Sequence, residues 1–253
     1  MKKQLVIINT IITIIIVIWN GIAGSRGVNG KTVGELSDEY NNLITPDGYA
    51  FSIWGIIFIA LLLFCGYQVK KVFLDQREDE FVLYMGYWYS LANVMNGLWL
   101  VFWLNEYIGL SVVVMTILLI SLLMVVIRLG IFDKEKSLGH KAFVQWPIGI
   151  YTGWISIAII ANVASYLTKI DFAFLMSEEY WAISLIVIAT LINLYMVLKR
   201  GVISYGLVGI WALVAISVRH NSGMDSLYYT SLITSGIIGL AILLKFLRSM
   251  RAA

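Results

Sequence analysis

The chain has 253 residues, of which 60% are hydrophobic and 13% are charged, and its formal net charge is +3. Charged residues make up about 25% of a typical soluble domain, so this composition excludes that class. The basic residues form no basic face, which gives no support to nucleic-acid binding. The single cysteine, Cys65, cannot form an internal disulfide, and His140 and His220 are isolated in connectors, so no metal or haem-ligand site is expected.

Eight apolar stretches follow one another along the chain, each about long enough to cross a bilayer as an α-helix. They cover residues 5–23, 50–69, 82–104, 107–127, 144–168, 180–198, 202–218 and 226–247. Because the bilayer interior contains no water to bond the backbone, we expect all of them to be helical. The sequence therefore predicts an all-α, polytopic integral membrane helix bundle with about eight transmembrane helices.

The charges on the connectors predict the orientation of this bundle. With the N-terminus inside, fourteen of the 18 lysines and arginines fall on inner connectors. The other four, which fall outside, are Arg26, Lys31, Lys169 and Arg219. This bias predicts a multi-pass plasma-membrane protein with both termini in the cytoplasm. Aromatic residues near the ends of the stretches are expected to anchor helices at the membrane interface; these are Tyr87, Trp88, Trp146 and Trp181.

The start of the chain has two interpretations. Met1-Lys2-Lys3 before an apolar run is typical of a signal peptide. The length of the run and its polar residues Asn9, Thr10 and Asn20, which a packed helix can use, favour a retained first span instead.

The longest connector, about residues 24–49, lies outside on this topology and is called here the first connector. It contains several glycines, then an acidic stretch, and it ends in the turn sequence Thr45-Pro46-Asp47-Gly48. A loop of this length is often a lid or a binding loop. Composition does not distinguish a lid from a mobile tether.

Amide and aromatic residues recur every three or four positions on two of the stretches. The third carries Tyr89, Asn93, Asn96, Leu100 and Trp103, and the fifth carries Tyr151, Trp154, Ala158, Asn162 and Ser165. That spacing places each set on one helix face. An asparagine facing lipid is costly, so both faces should point into the bundle. There they either bind a flat ligand or hold helices together, with Gly149 and Gly153 allowing close approach.

No catalytic set is visible in the sequence. The middle of every stretch lacks the Asp, Glu, Lys or Arg that ion-coupled transporters and pumps usually carry. Hydrolase and phosphate-loop motifs are missing too. We therefore name no catalytic residue, and we expect a binding protein more than an enzyme.

Three short segments resemble one known family. Trp154, Ala158 and Asn162 are spaced by four, Asn96-Gly-Leu-Trp99 is followed by Phe102-Trp103, and Thr45-Pro46 is followed by Phe51 and Trp54. In this order they resemble the fifth helix, the third helix and the start of the second helix of the tryptophan-rich sensory (TspO/MBR, translocator) proteins. The family usually has five helices. Residues 1–168 are therefore expected to form a TspO/MBR-like five-helix bundle, and residues 169–253 to add three helices to the same membrane domain.

The resemblance implies a flat hydrophobic ligand, a tetrapyrrole such as protoporphyrin or haem, bound for sensing, sequestration or facilitated movement. No covalent cofactor is expected, and the partners would be membrane lipids and this ligand, with a homodimer also possible. The expected pocket lies between the second, third and fifth helices under the first connector. Its expected ligand-binding residues are Trp54, Asn93, Asn96, Trp99, Trp103, Tyr151, Trp154 and Asn162. A membrane-embedded enzyme acting on porphyrin or lipid, and a structural or partner-binding subunit, remain open as alternatives.

Overall fold

The computed structural model describes residues 1–40, 42–75, 80–130, 137–172 and 176–251, and within these ranges it contains helices and no β-strand. The α-helices are α1 (Lys2–Arg26), α2 (Val33–Glu39), α3 (Ile53–Val69), α4 (Phe81–Met85), α5 (Trp88–Leu104), α6 (Ile108–Arg128), α7 (Leu138–His140), α8 (Trp146–Lys169), α9 (Glu178–Leu198), α10 (Ile203–Arg219) and α11 (Asp225–Arg251). A 3-10 helix (Gly48–Ser52) leads into α3, and π-helical turns follow α3 (Lys70–Leu74) and precede α8 (Lys141–Gln145).

The predicted all-α membrane bundle is confirmed. Each of the eight predicted stretches coincides with a long helix: α1, α3, α5, α6, α8, α9, α10 and α11. Six helices of the described chain are long and apolar enough to cross a bilayer, and α5 and α10 fall just short at 17 residues each. The number of eight crossings therefore stays a prediction. Arg77, Lys134 and Lys136, which the charge pattern places on inner connectors, lie outside the described residues.

Helix α1 shows how these helices divide their surface between protein and lipid. Its exposed side chains include Ile7, Ile11 and Ile18, which recur along one face at helical spacing. Asn9 and Thr13 lie on the opposite face and are fully buried. Exposed isoleucines beside buried amides are the reverse of the pattern in a soluble protein, and they fit a helix with lipid on one side.

Helix α8 lies at the centre of the bundle and packs against α3, α6 and α10. Its contact with α10 depends on glycine. A methyl group added at Gly149 would lie 2.2 Å from Ser204 Oγ, and one added at Gly153 would lie 3.3 Å from the Tyr205 Cα. The expected role of these glycines in close helix approach is confirmed, and their partner is α10.

The first connector is folded over one end of the bundle, so of its two interpretations the structure supports the lid. Its helix α2 begins with a capping box, in which the Thr32 backbone N–H donates to Glu35 Oε2 at 2.7 Å and Thr32 Oγ1 accepts from the Glu35 N–H. The bond from the Thr32 N–H, followed by a second one that Thr32 Oγ1 donates to Glu35 Oε2 at 2.8 Å, lowers the pKa of the Glu35 carboxyl. Leu36 and Ile44, two residues of the connector itself, are buried.

Polar contacts join the first connector, and Ala50 just after it, to the α5–α6 turn and to α10. Lys31 Nζ lies 3.2 Å from Glu106 Oε1, between α5 and α6. Arg219 at the end of α10 donates to Asp38 at 2.5 Å, and Trp211 Nε1 donates to the Ala50 carbonyl at 3.0 Å. Exposed ion pairs are each worth little, so the number of attachments and the buried apolar side chains hold the lid in place.

Candidate ligand-binding site

Four aromatic side chains from α3, α5 and α8 meet in one cluster, called here the aromatic cluster. Trp54 lies at its centre, with ring centroids 6.2 Å from Trp99, 6.1 Å from Tyr151 and 6.4 Å from Trp154. The Trp54 and Trp99 rings are nearly parallel, at 28°, whereas Trp154 meets Trp54 edge-on at 83°. Both arrangements are favourable for aromatic pairs. The structure thus brings together residues more than forty positions apart that the sequence predicted to share a pocket.

Hydrogen bonds connect Asn162 on α8 to α5 and α6. Trp99 Nε1 donates to Asn162 Oδ1 at 2.9 Å, and Asn162 Nδ2 donates to Ser111 Oγ at 2.9 Å. Asn162 is 3% exposed. The prediction that this amide faces the protein interior near the third span is therefore confirmed. In this conformation its amide has the structural role of joining three helices.

Two buried N–H groups of the predicted site have no hydrogen-bond partner among the described residues. They are Trp154 Nε1 and Asn96 Nδ2. The other end of the Asn96 amide is satisfied, because Oδ1 accepts from Asn20 Nδ2 at 2.9 Å. An unpaired buried donor costs about 1–3 kcal/mol. These two groups are therefore the donors that a bound acceptor would stabilise most.

Of the two remaining predicted residues, Trp103 lies at the edge of the aromatic cluster. Trp103 stacks on Trp99 at 6.1 Å, and its Nε1 donates to the Val33 carbonyl in the lid at 3.4 Å. Asn93 is buried and bonds within its own helix, where Nδ2 donates to the Tyr89 carbonyl at 3.1 Å. Trp103 thus connects the aromatic cluster to the lid, while the amide of Asn93 serves α5 itself.

A cavity of about 300 Å³ lies on another face of α8 and is bordered by the first connector, α8 and α9. Its walls include Ile44, Ala164, Leu167, Trp181, Ala182 and Leu185. At the predicted pocket the aromatic rings contact one another, so a ligand there would have to separate them. Of the four expected interface anchors, Trp181 is half-buried and lines this cavity, Trp88 is also half-buried, and Tyr87 and Trp146 are exposed. Their role as anchors stays a prediction.

A buried polar cluster that the sequence did not identify joins α1 to α3 and α5. Asn9 Nδ2 donates to Gln68 Oε1 at 2.9 Å, Ser90 Oγ donates to Asn9 Oδ1 at 2.6 Å, and the Thr13 and Tyr89 hydroxyls are 2.9 Å apart. Asn9 was singled out as a polar residue that a packed helix can use, but no pattern pointed to Gln68 as its partner. In this structure α1 is an integral part of the packed bundle.

One comparison with known proteins identifies the family. A family model described as TSPO-like protein matches residues 6–244. The match continues past residue 168, where the sequence resemblance ended, and so includes α9, α10 and most of α11. No curated protein and no solved structure matches the chain. Together with the helical membrane bundle, the match over nearly the whole length shows that this chain belongs to the TSPO-like protein family.

Proposed function

We propose that this membrane protein binds a flat hydrophobic ligand of the tetrapyrrole class, such as protoporphyrin or haem, as a sensor, a sequestering protein or a facilitator of its movement. The observation that carries the proposal is the position of Trp54. Its half-buried ring contacts Trp99, Tyr151 and Trp154 at the junction of α3, α5 and α8. A planar ligand can replace these ring contacts with its own faces.

The chemistry of the aromatic cluster suits such a ligand. Its walls are aromatic rings, and the unpartnered Trp154 and Asn96 N–H groups are donors that carbonyl or carboxylate oxygens can accept from. Binding would require the Trp54 ring to turn away from Trp99, and the ligand would then stack in its place. The lid lies close to this region, since Trp103 touches both Trp99 and the Val33 carbonyl.

The test is a titration of the purified protein in lipid nanodiscs with protoporphyrin IX, followed by the change in porphyrin absorbance. This signal does not depend on how many of the nine tryptophans remain. We expect Trp54→Leu and Trp154→Leu each to weaken binding severalfold, because one aromatic contact is worth about 1 kcal/mol. Leucine keeps apolar bulk, so the fold should survive.

The matched control is Trp146→Leu, because Trp146 also lies on α8 but is 44% exposed on the bundle surface. It should leave porphyrin affinity unchanged. Equal losses in the control and the cluster variants would indicate general destabilisation. No binding by the unaltered protein would favour the structural-subunit alternative, and a new product after incubation and illumination would favour the enzyme.

A further inference from the structure

We propose that the cavity between the first connector, α8 and α9 is a second binding site, separate from the aromatic cluster, and that it takes an amphipathic amine. The cavity is about 300 Å³, which lies at the lower end of the size range of small-molecule sites. Small side chains on facing helices, Ala164 on α8 and Ala182 on α9, leave the space open. Leu167 and Leu185 complete a wall suited to an apolar body.

The polar groups on the cavity wall include two carboxylates. Asp171 and Glu178 are solvent-exposed residues that both contribute to the wall, and a carboxylate only accepts. The Thr168 hydroxyl donates to the Ala164 carbonyl at 3.1 Å, and Asn42 Nδ2 donates to Ser165 Oγ at 3.1 Å. The proton of Thr168 and one proton of Asn42 are thus already used inside the protein. A ligand that fits this wall has to bring donors of its own.

The charge around the cavity selects a cation. Within the described ranges neither Asp171 nor Glu178 takes part in a salt bridge. Two basic side chains are engaged elsewhere and do not line the cavity: Lys169 Nζ donates to the Glu106 carbonyl at 2.5 Å, and Arg219 donates to Asp38. Trp181 adds an aromatic ring to the same wall, which also favours an ammonium group.

An independent observation comes from the deeper end of this region. A smaller pocket of about 20 Å³ shares Ile44 and Leu185 with the cavity and is lined by Asn193. Asn193 is 1% exposed; its Nδ2 donates to the Ala189 carbonyl at 2.8 Å, while its Oδ1 has no partner among the described residues. This Oδ1 faces Gly209 of α10, because a methyl group added at Gly209 would lie 2.2 Å from it. The small pocket beside Asn193 has room for about one water, which could bond this acceptor.

A metal ion fits this cavity less well than an amine does. Hard cations need several oxygen ligands converging within about 2.6 Å, and no group of three potential metal-ligating side chains exists in the described residues. The leucine and alanine walls favour carbon instead. An amine would place its ammonium group beside Asp171 and Glu178 and its hydrocarbon part between α8 and α9, against the leucine wall.

The experiment compares three small ligands with the same ring by isothermal titration calorimetry on the full chain in nanodiscs. The probes are 2-phenylethylamine, 2-phenylethanol and phenylacetate, which differ in charge but little in size. Titrations extend to about 10 mM, because so small a ligand binds in roughly the millimolar range. We expect the amine to bind about tenfold more tightly than the alcohol, and phenylacetate to bind least.

Two variants connect that preference to the cavity. The double variant Asp171→Asn/Glu178→Gln should bring amine affinity down to that of the alcohol, while Ala182→Phe should fill the cavity and abolish binding of both. Glu80→Gln is the matched control, since this carboxylate bonds Tyr84 far from the cavity in sequence, and it should leave amine affinity unchanged. Circular dichroism and the elution volume show that each variant is folded.

Several results would overturn the proposal. The first is that the amine gives no binding heat over the full titration. The second is that amine and alcohol bind with equal affinity. The third is that the double variant keeps its amine affinity. The proposed tetrapyrrole site is tested separately by the same variants. Trp54→Leu should leave 2-phenylethylamine binding unchanged and Ala182→Phe should leave protoporphyrin binding unchanged, so that either site can fail without the other.

Discussion

Replacing Asn162 with leucine tests whether the bond between α8 and α5 holds the bundle together. The variant loses the bond from Trp99 Nε1 to Asn162 Oδ1 and the bond from Asn162 Nδ2 to Ser111 Oγ, both 2.9 Å. Bonds between transmembrane helices are worth about 0.6 kcal/mol on average. The Trp99 N–H would also be left buried without a partner, at a cost of about 1–3 kcal/mol. We therefore expect a loss of about 2–4 kcal/mol in the free energy of unfolding.

The assay is unfolding by sodium dodecyl sulfate in mixed micelles, followed by far-ultraviolet circular dichroism. A double-mutant cycle isolates the Trp99 contribution. In a Trp99→Phe background the indole N–H is already gone, so Asn162→Leu should cost at least about 0.5 kcal/mol less than it does alone. Asn105→Ala is the control, because Asn105 is an exposed asparagine near the end of α5. Purely additive losses would refute the reasoning, since they would mean that Trp99 and Asn162 do not depend on each other.

Three further predictions follow from the orientation, the glycine contacts and the lid. In a Cys65→Ser background, a membrane-impermeant thiol reagent should label cysteine at position 31 and not at position 199 in intact cells, because the charge bias places both termini in the cytoplasm; the reverse labelling would invert the topology. Gly153→Ala should destabilise the bundle by about 1 kcal/mol because the new methyl group meets the α10 backbone, whereas Gly236→Ala meets open space and should be neutral; equal effects would contradict close packing at Gly153. The lowered pKa of Glu35 means that its carboxylate stabilises α2 above the pKa of the unfolded carboxyl, and that this stability is lost as pH falls through the lowered value; hydrogen exchange in residues 33–39, corrected for its intrinsic pH dependence, should rise on acidification and should rise less in Glu35→Gln.

The sequence was sufficient to predict what depends on short spacings. The length of each apolar run predicted a helix, and the four-residue spacing of Trp154, Ala158 and Asn162 predicted a common, inward face. The sequence did not predict which residues of different helices contact one another. Asn162 lies 51 positions from Ser111, and Asn9 lies 59 from Gln68, and each amide had several polar partners compatible with helical spacing.

The cavity could not be predicted from the sequence, for a different physical reason. Empty space depends on how Ala164 and Ala182 happen to face one another, and alanines are common in any helix. Trp181 at the end of a span matched the pattern of an interface anchor just as well as that of a cavity wall. Only the structure shows that Trp181 contributes to the cavity between the first connector, α8 and α9.

Helix α8 carries groups of both proposed sites, so a ligand that moves this helix would couple them. Tyr151 and Trp154 belong to the aromatic cluster, whereas Ala164 and Leu167 line the cavity nearer the C-terminal end of the same helix. If a ligand at one site rotates or shifts α8, it changes the binding free energy of a ligand at the other site. Thermodynamic reciprocity then requires an amine that alters porphyrin affinity by some factor to have its own affinity altered by the same factor. Titrating porphyrin with and without the amine, and the amine with and without porphyrin, measures the coupling free energy that α8 transmits between the two sites.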